Sequence, residues 1–266
     1  MSESFESAEQ VQDAEGRQYH IDLAPGEVAE YILTCGDPAR AERVAKRFDP
    51  GSLRLERRHR EYVTFTGAWR GLPLTVIATG MGADNTEIAI VELAQIVENP
   101  TFIRVGTCGA LQPEIEIEDL VVSTGSVRLE NTTTYLVHEG FPAVAHHEVV
   151  AALIAAAHRH ERRHHVGITA TAPGFYGAQG RRVRGFEPRY PDLPDQLARM
   201  NVKNLEMETS ALFTLCAMRD FRAGAVCAAF ASRPRNVFID KDRKIPAEDA
   251  AVEVALTAFE ILAGRG

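Results

Sequence analysis

Short apolar, β-branched runs alternate along this chain with helix-patterned stretches, and glycine, aspartate and proline mark the handovers. A chain punctuated in this way folds as an α/β domain, because strands and helices must bury their apolar faces against one another. Tyr31-Ile32-Leu33-Thr34 reads as a strand ending in Cys35-Gly36-Asp37-Pro38. Asp37 then caps, and Pro38 begins, a helix running to about residue 47. Runs over 62–68 and 74–78 flank Trp69-Arg70-Gly71-Leu72-Pro73 and predict a hairpin. Gly80-Met81-Gly82-Ala83-Asp84-Asn85 opens a helix through residue 97. Thr101-Phe102-Ile103-Arg104-Val105 is the next strand, expected to break at Gly106-Thr107-Cys108-Gly109. Further strands are expected over 120–123, 125–129, 166–171 and 221–230, with a helix over 147–158 and a closing amphipathic helix over 246–263.

Length and charge narrow what such a domain can do. At 266 residues, 45% hydrophobic and 25% charged, the chain suits one substantial core, so a single domain over 17–266 is expected. The first 16 residues are acidic and polar and are expected to be a disordered tail. No apolar leader and no membrane-length apolar stretch is present, so a cytoplasmic location is expected and membrane association is not. The net charge of −8 and pI near 5.6 give no general attraction to nucleic acid. Cys35, Cys108, Cys216 and Cys227 lie far apart without a C-x-x-C pair and read as buried, reduced thiols. Asn131-Thr132-Thr133 matches a glycosylation sequon but lacks a secretion signal.

Several short constellations carry chemistry. Gly36-Asp37-Pro38-Ala39-Arg40 puts a helix N-terminus and a guanidinium beside a glycine, which suits a phosphate and equally suits a capped turn. Arg104 sits inside an apolar strand before Gly106-Thr107, where it needs either a bound anion or an internal salt bridge. Asn204-Leu205-Glu206-Met207-Glu208-Thr209 sets two acids just before the apolar run starting at Ala211. Acids at a helix start are favoured by its dipole, and they also suit a vicinal diol. Phe175-Tyr176-Gly177-Ala178-Gln179-Gly180-Arg181 pairs an amide with a guanidinium, which matches the amide edge of uracil, with Phe175 available to cover the ring.

Two tempting patterns fail on spacing. Gly80-x-Gly82-x-x-Asn85 lacks the third glycine of a dinucleotide turn. Among His146, His147, His158, His160, His164 and His165, the zincin spacing from His147-Glu148 falls on Ala151, so no metal is predicted. Residues 182–201 are Pro- and charge-rich and read as an insertion with one short helix near Pro194.

Taken in order and spacing, Gly36-Asp37-Pro38-x-Arg40, His59-Arg60-Glu61-Tyr62, Arg104-x-Gly106-Thr107, Phe175-Tyr176-x-x-Gln179-Gly180-Arg181 and Asn204-x-Glu206-Met207-Glu208 resemble the uridine phosphorylases of the nucleoside phosphorylase-I superfamily. The resemblance runs from about His20 to the C-terminal helix. It implies an α/β fold with a central mixed β-sheet or distorted barrel flanked by helices, and a flap at about 176–203. It implies a phosphate site from Gly36, Arg40, Arg104 and Thr107, completed by Arg60 of a neighbouring subunit. Glu208, with Glu206 and Met207 beside it, would hold the ribose hydroxyls. His20 would reach the 5′-hydroxyl across a dimer interface, and Phe175, Gln179, Arg181 and Arg233 would bind the base. Arg40, Arg104, Glu208 and Arg181 are then the expected catalytic residues. The assembly implied is at least a homodimer, and in the family usually a homohexamer.

The late strand ends Phe230-Ala231-Ser232-Arg233, without the acid of purine-specific relatives. Cys108 stands where relatives have Thr or Ser, and Gly177-Ala178 also departs from the family pattern. Some relatives hold an interfacial potassium ion through the equivalent of Glu61; Ala78 lacks a hydroxyl for it, so no ion is predicted. The reaction implied is reversible phosphorolysis of uridine to uracil and ribose 1-phosphate, with inorganic phosphate as co-substrate and no cofactor. The alternatives are a purine nucleoside phosphorylase, a nucleosidase, or a nucleoside-binding protein without turnover.

Overall fold

Strand side chains alternate between faces, and the central strands here are apolar on both. In the computed structural model, which describes residues 7–265, β1 (Tyr31–Cys35) sends Ile32 into one core and Leu33 into the other. α1 (Pro38–Ala45) follows, with the Asp37 carboxylate accepting from the Ala39 backbone N–H at 2.9 Å. β2 (Leu55–His59), β3 (Tyr62–Trp69) and β4 (Leu72–Ala78) make an antiparallel meander. The expected hairpin is present: Arg70 and Gly71 take φ of 49° and 75°, the mirror-image turn that matches strand twist. Asp49 holds it, accepting from both backbone N–H groups at 2.8 and 2.7 Å. α2 (Ala83–Ile96) leads into β5 (Thr101–Ala110), β6 (Leu120–Arg128), β7 (Ala143–Val144), α3 (His147–Arg159) and β8 (His164–Thr171). α4 (Leu193–Arg199), β9 (Asn204–Glu206), α5 (Thr209–Met218), β10 (Arg222–Ser232), β11 (Val237–Phe238) and α6 (Lys244–Leu262) complete the order.

The strands form one mixed sheet ordered β11-β10-β6-β8-β9-β5-β1-β4-β3-β2, with β7 added to β6. A further parallel pairing of β10 with β5 closes β5, β10, β6, β8 and β9 into a five-stranded barrel. The fold is therefore the mixed sheet and distorted barrel flanked by helices that the resemblance implies. One core lies under α1, α3 and α6 and includes Leu33, Ile103, Val149, Leu153 and Phe259. The other lies under α2 and α5 and includes Ile32, Phe102, Ile90, Leu212 and Phe213.

Some expectations need correction. β5 does not break at residues 106–109 but continues to Ala110, because β10 pairs with it beyond the glycines and β9 pairs at its end. The strands expected over 120–123 and 125–129 are one strand with a register shift between Ser123 and Gly125. α6 is not a one-sided amphipathic helix: Ala250, Ala251, Val252, Val254, Ala255 and Leu256 are all buried, because α3 packs on it as well as the sheet. Residues 1–6 of the tail expected to be disordered lie outside the described residues. From residue 7 the chain has defined contacts, with the Asp13 carboxylate accepting from the N–H groups of Glu15 (3.0 Å) and Arg17 (2.8 Å), and Gln12 bridging to Gln18. The insertion is held partly by Gln112, whose Nε2 donates to the carbonyls of Ala198 (3.0 Å) and Val202 (2.7 Å). Leu197 and Val202 pack there with Leu111, Ala170 and Leu205. All four cysteines are free and buried. Among the described residues no helix is long and apolar enough to cross a membrane.

Candidate active site

A cavity of about 510 Å³ opens where β1, β4 and β5 meet the junction of β9 with α5. Its cationic end is built on strand ends. Gly36 and Arg40 line it from the turn after β1 and from α1, and Arg104 and Thr107 line it from β5. The Arg40 guanidinium is buried; Nη1 donates to the Val105 carbonyl (3.0 Å) and Nη2 to Glu248 Oε1 (2.8 Å). Its Nε is a buried donor without a partner, a group that costs free energy unless a ligand or water accepts from it. Gly106 explains the spacing of the β5 motif. A Cβ there would fall 2.8 Å from Arg104 Nη2 and 2.9 Å from Cys227 Sγ, so only glycine leaves the guanidinium its place.

Two carboxylates face Arg104. Arg104 Nε donates to Glu206 Oε2 at 3.1 Å, and Nη2 donates to Glu208 Oε2. Glu206 also accepts from the N–H groups of Glu208 (2.8 Å) and Thr209 (3.0 Å) and from the Thr171 hydroxyl. Glu206 thus caps the start of α5 and braces Arg104 together. Glu208 Oε1 accepts from the Gly82 backbone N–H at 2.7 Å. That contact gives the Gly80-x-Gly82 turn its use. Both glycines take positive φ, 76° and 105°, and they turn the N-terminus of α2 toward the carboxylate.

Burial works against the charge on Arg104, but Glu208 and Glu206 outweigh it and hold the guanidinium above its ordinary range. Burial pushes the Glu208 carboxyl upward, with Arg104 opposing. The internal salt bridge foreseen for Arg104 is therefore made. A guanidinium has five N–H donors, so donors remain for an anion.

The opposite end is aromatic and amide-bearing. Phe175, Gln179 and Arg181 line it from the loop and short turn after β8. The Arg181 guanidinium lies 3.7 Å from the Phe175 ring centroid, and its Nη1 donates to the Phe175 carbonyl (2.6 Å) and to Gln179 Oε1. Burial, then the neighbouring Arg233, pull Arg181 down to about 10. It remains charged at neutral pH. Met207 also lines the cavity.

Three expected site residues do not line this chain's cavity. Arg233 stands behind it, donating from Nη2 to the Gln179 carbonyl at 3.2 Å. Arg60 lies on the surface in the turn between β2 and β3, at φ 52°, with Nη2 donating to the Tyr19 hydroxyl at 2.8 Å. His20 is bonded through Nδ1 to Glu92 at 2.6 Å. The histidines set aside as metal ligands find ordinary partners: His146 stacks on His147, His160 meets Thr257, and His165 meets Asp119.

A family model described as the phosphorylase superfamily matches residues 30–261. The chain belongs to the phosphorylase superfamily. Among superfamily relatives, it is 46% identical to the uridine phosphorylase of Thermococcus kodakarensis over 99% of this chain and 93% of the relative. It is 35% identical to the uridine phosphorylase of Haemophilus influenzae over 92% of this chain and 98% of the relative. A solved Trypanosoma brucei nucleoside phosphorylase, described as showing uridine phosphorylase activity, superposes with a TM-score of 0.86 at 27% identity, covering 93% of this chain and 98% of that one.

In this superfamily member the cavity is also built from residues that the sequence did not single out. Glu248 on α6 pairs Arg40, yet it lies more than two hundred positions away in a helix that gives no local sign of a site. Gly82 was visible as part of a glycine turn, but its acceptor, Glu208, was not. Met81, Cys108 and Phe230 line the cavity as well; of these only Cys108 had a signal, as a departure from the pattern of relatives.

Proposed function

We propose that this chain catalyses the reversible phosphorolysis of uridine to uracil and ribose 1-phosphate, acting as a pentosyltransferase. The observation that carries this reading is a single cavity with a buried cationic end, a carboxylate beside it and an amide-plus-guanidinium pair opposite. These suit an anion, a ribose diol and a uracil edge in the order in which the reaction joins them. Full-length similarity to uridine phosphorylases supports the same substrates.

In this reading phosphate enters beside Gly36, Arg40, Arg104 and Thr107, where the unpartnered Arg40 Nε and the spare donors of Arg104 receive its oxygens. Glu208 orients the ribose hydroxyls with Met207 against the sugar, while Glu206 acts mainly by bracing Arg104 and the start of α5. Phosphate attacks C1′ as the glycosidic bond breaks, and the oxocarbenium-like state is favoured by placement and electrostatics. The electron pair of that bond leaves on uracil. Its charge spreads over carbonyl oxygens facing Gln179 and Arg181, with Phe175 on the ring and Arg233 securing Gln179 from behind.

Inorganic phosphate is the co-substrate, and the reaction needs neither a metal ion nor an organic cofactor. His20 and Arg60 serve the site of a neighbouring copy, so the working unit is at least a homodimer, and the expected assembly is a homohexamer. The cytoplasm, where such salvage substrates occur, is the proposed location.

The test is incubation with uridine, with and without phosphate, with inosine in parallel. Uracil release that depends on phosphate, without hypoxanthine release, is the expected result. Release without phosphate, or cleavage of inosine in preference, would overturn the proposal.

A further inference from the structure

Glu92 is a carboxylate that the reaction as described does not use. It lies on α2 between Ile90 and Leu93, with 8% of its surface exposed. A carboxylate so buried must be compensated, and no lysine or arginine pairs with it among the described residues. Its bonds all go to one place. Oε1 and Oε2 each lie 3.1 Å from the His20 backbone N–H, Oε2 accepts from Ile21 N–H at 2.8 Å, and Oε1 lies 2.6 Å from His20 Nδ1. On the other side, His59 Nδ1 is 2.9 Å from the His20 carbonyl. Ile21 is anchored in the core, 1% exposed.

An ionised carboxylate only accepts hydrogen bonds, so Nδ1 of His20 must carry a proton. In the neutral ring Nε2 is then an acceptor, and it has no protein partner among the described residues. We infer that Glu92 is a positioning residue for the proposed reaction. It fixes His20 in the Nδ1–H tautomer and holds the ring so that Nε2 accepts from the 5′-hydroxyl of a nucleoside in a neighbouring subunit. This inference rests on the reading of His20 given under Proposed function.

The other residue proposed to serve the neighbour, in the turn between β2 and β3, rests on the same segment. Arg60 follows His59, its Nη2 donates to the hydroxyl of Tyr19 at 2.8 Å, and its guanidinium lies 4.9 Å from the Tyr19 ring centroid. Glu92 therefore anchors, from α2, the segment that carries His20 and against whose Tyr19 Arg60 rests. Gln at this position keeps the volume but replaces one acceptor oxygen with a donor, facing N–H groups that also donate.

The decisive experiment measures kcat and KM for uridine and for 5′-deoxyuridine with the unaltered enzyme, Glu92→Gln, His20→Ala and the double variant. A positioning role predicts that the ratio of kcat/KM for uridine to that for 5′-deoxyuridine falls about tenfold in Glu92→Gln, the scale of one charge-assisted hydrogen bond. His20→Ala should lower the same ratio, and the double variant should fall no further than His20→Ala alone. A merely structural role would lower both substrates together and leave the ratio where it was, which overturns the inference. If His20→Ala itself leaves the ratio unchanged, the reading of His20 fails, and the inference with it. Nitrogen-15 shifts of the His20 ring in the unaltered enzyme need no variant to fold. The Nδ1–H form supports the assignment, and the Nε2–H form overturns it.

Discussion

The two ends of the cavity use arginine in opposite ways. At the anion end Arg40 and Arg104 are buried and met by carboxylates from other elements, Glu248 from α6 and Glu206 and Glu208 from the β9–α5 junction. At the base end Arg181 is met by a carbonyl, an amide oxygen and an aromatic face, and no acid pairs with it among the described residues. Burial lowers Arg181 to about 10 and lowers Arg233 as well, whereas the paired Arg104 is held above its ordinary range. The anion end is thus a closed ion network set in strands, which keeps its charges in place before substrate arrives. The Arg181 end is carried by a loop, and its cation has interaction capacity left, which the proposed reaction would use on a leaving group that gains negative charge.

The sharpest way to break this contrast is to remove one cation from each end. Arg104→Met leaves Glu206 and Glu208 buried side by side without their shared partner, and should cost about 3 to 5 kcal/mol of stability, read as the loss in denaturant unfolding. Loss of less than about 1 kcal/mol would mean that the network adjusts, and that the anion end is not the closed structure described. Arg181→Ala strands no carboxylate. It should lower kcat/KM for uridine by about 10² to 10³ while costing only about 1 kcal/mol of stability. Near-native turnover in Arg181→Ala would remove the base-site assignment.

Glu206 sharpens the anion end itself. Its oxygens already accept from Thr171, Arg104, Glu208 and Thr209, so an amide there must turn a donor toward a donor. Glu206→Gln should lower kcat about tenfold with a smaller change in the KM for uridine, because it loosens Arg104 and Glu208 without removing a sugar contact. A rise in KM alone would show instead that Glu206 binds the nucleoside directly.

How much of this was legible in the sequence follows the same division. The strands carrying Thr34, Arg104 and Phe230, the Asp37 cap and the Arg70-Gly71 hairpin are fixed by local signals, and residue pattern suffices for them. The extension of β5 through Gly106 to Ala110 was not legible, because a glycine-rich run breaks a strand unless a distant strand pairs with it, and here β10 and β9 both do. β2, with three consecutive charged residues Glu56, Arg57 and Arg58, and the three-residue β9 were too polar or too short to be seen. Around the cavity, most of the residues that line it could be named in advance, but the contacts of Glu248 with Arg40, Gly82 with Glu208 and Glu92 with His20 could not. Glu248 and Glu92 are brought in by tertiary packing from helices that read as ordinary core elements, and Gly82 by the turn that opens α2.

The smallest effect separates the network's contribution to stability from its contribution to catalysis. Burial disfavours the charge on Glu248, but the Arg40 hydrogen bond and the charges of Arg40 and Arg43 together hold its carboxyl below the ordinary range. A carboxyl with a depressed value in the folded state adds stability that is fully present above its unfolded value, and loses it as pH falls through the folded value. The window therefore lies below the usual glutamate value of about 4.3. Glu248→Gln has no carboxyl to protonate there, so its melting temperature should fall less steeply on acidification than that of the unaltered protein. Thermal unfolding followed from pH 6 downward, in about half-unit steps as a starting resolution, reads this directly. Parallel acid limbs for the two proteins would mean that Arg40 is held by its Val105 carbonyl contact rather than by Glu248, and the anion end would then owe its order to the strand instead of to α6.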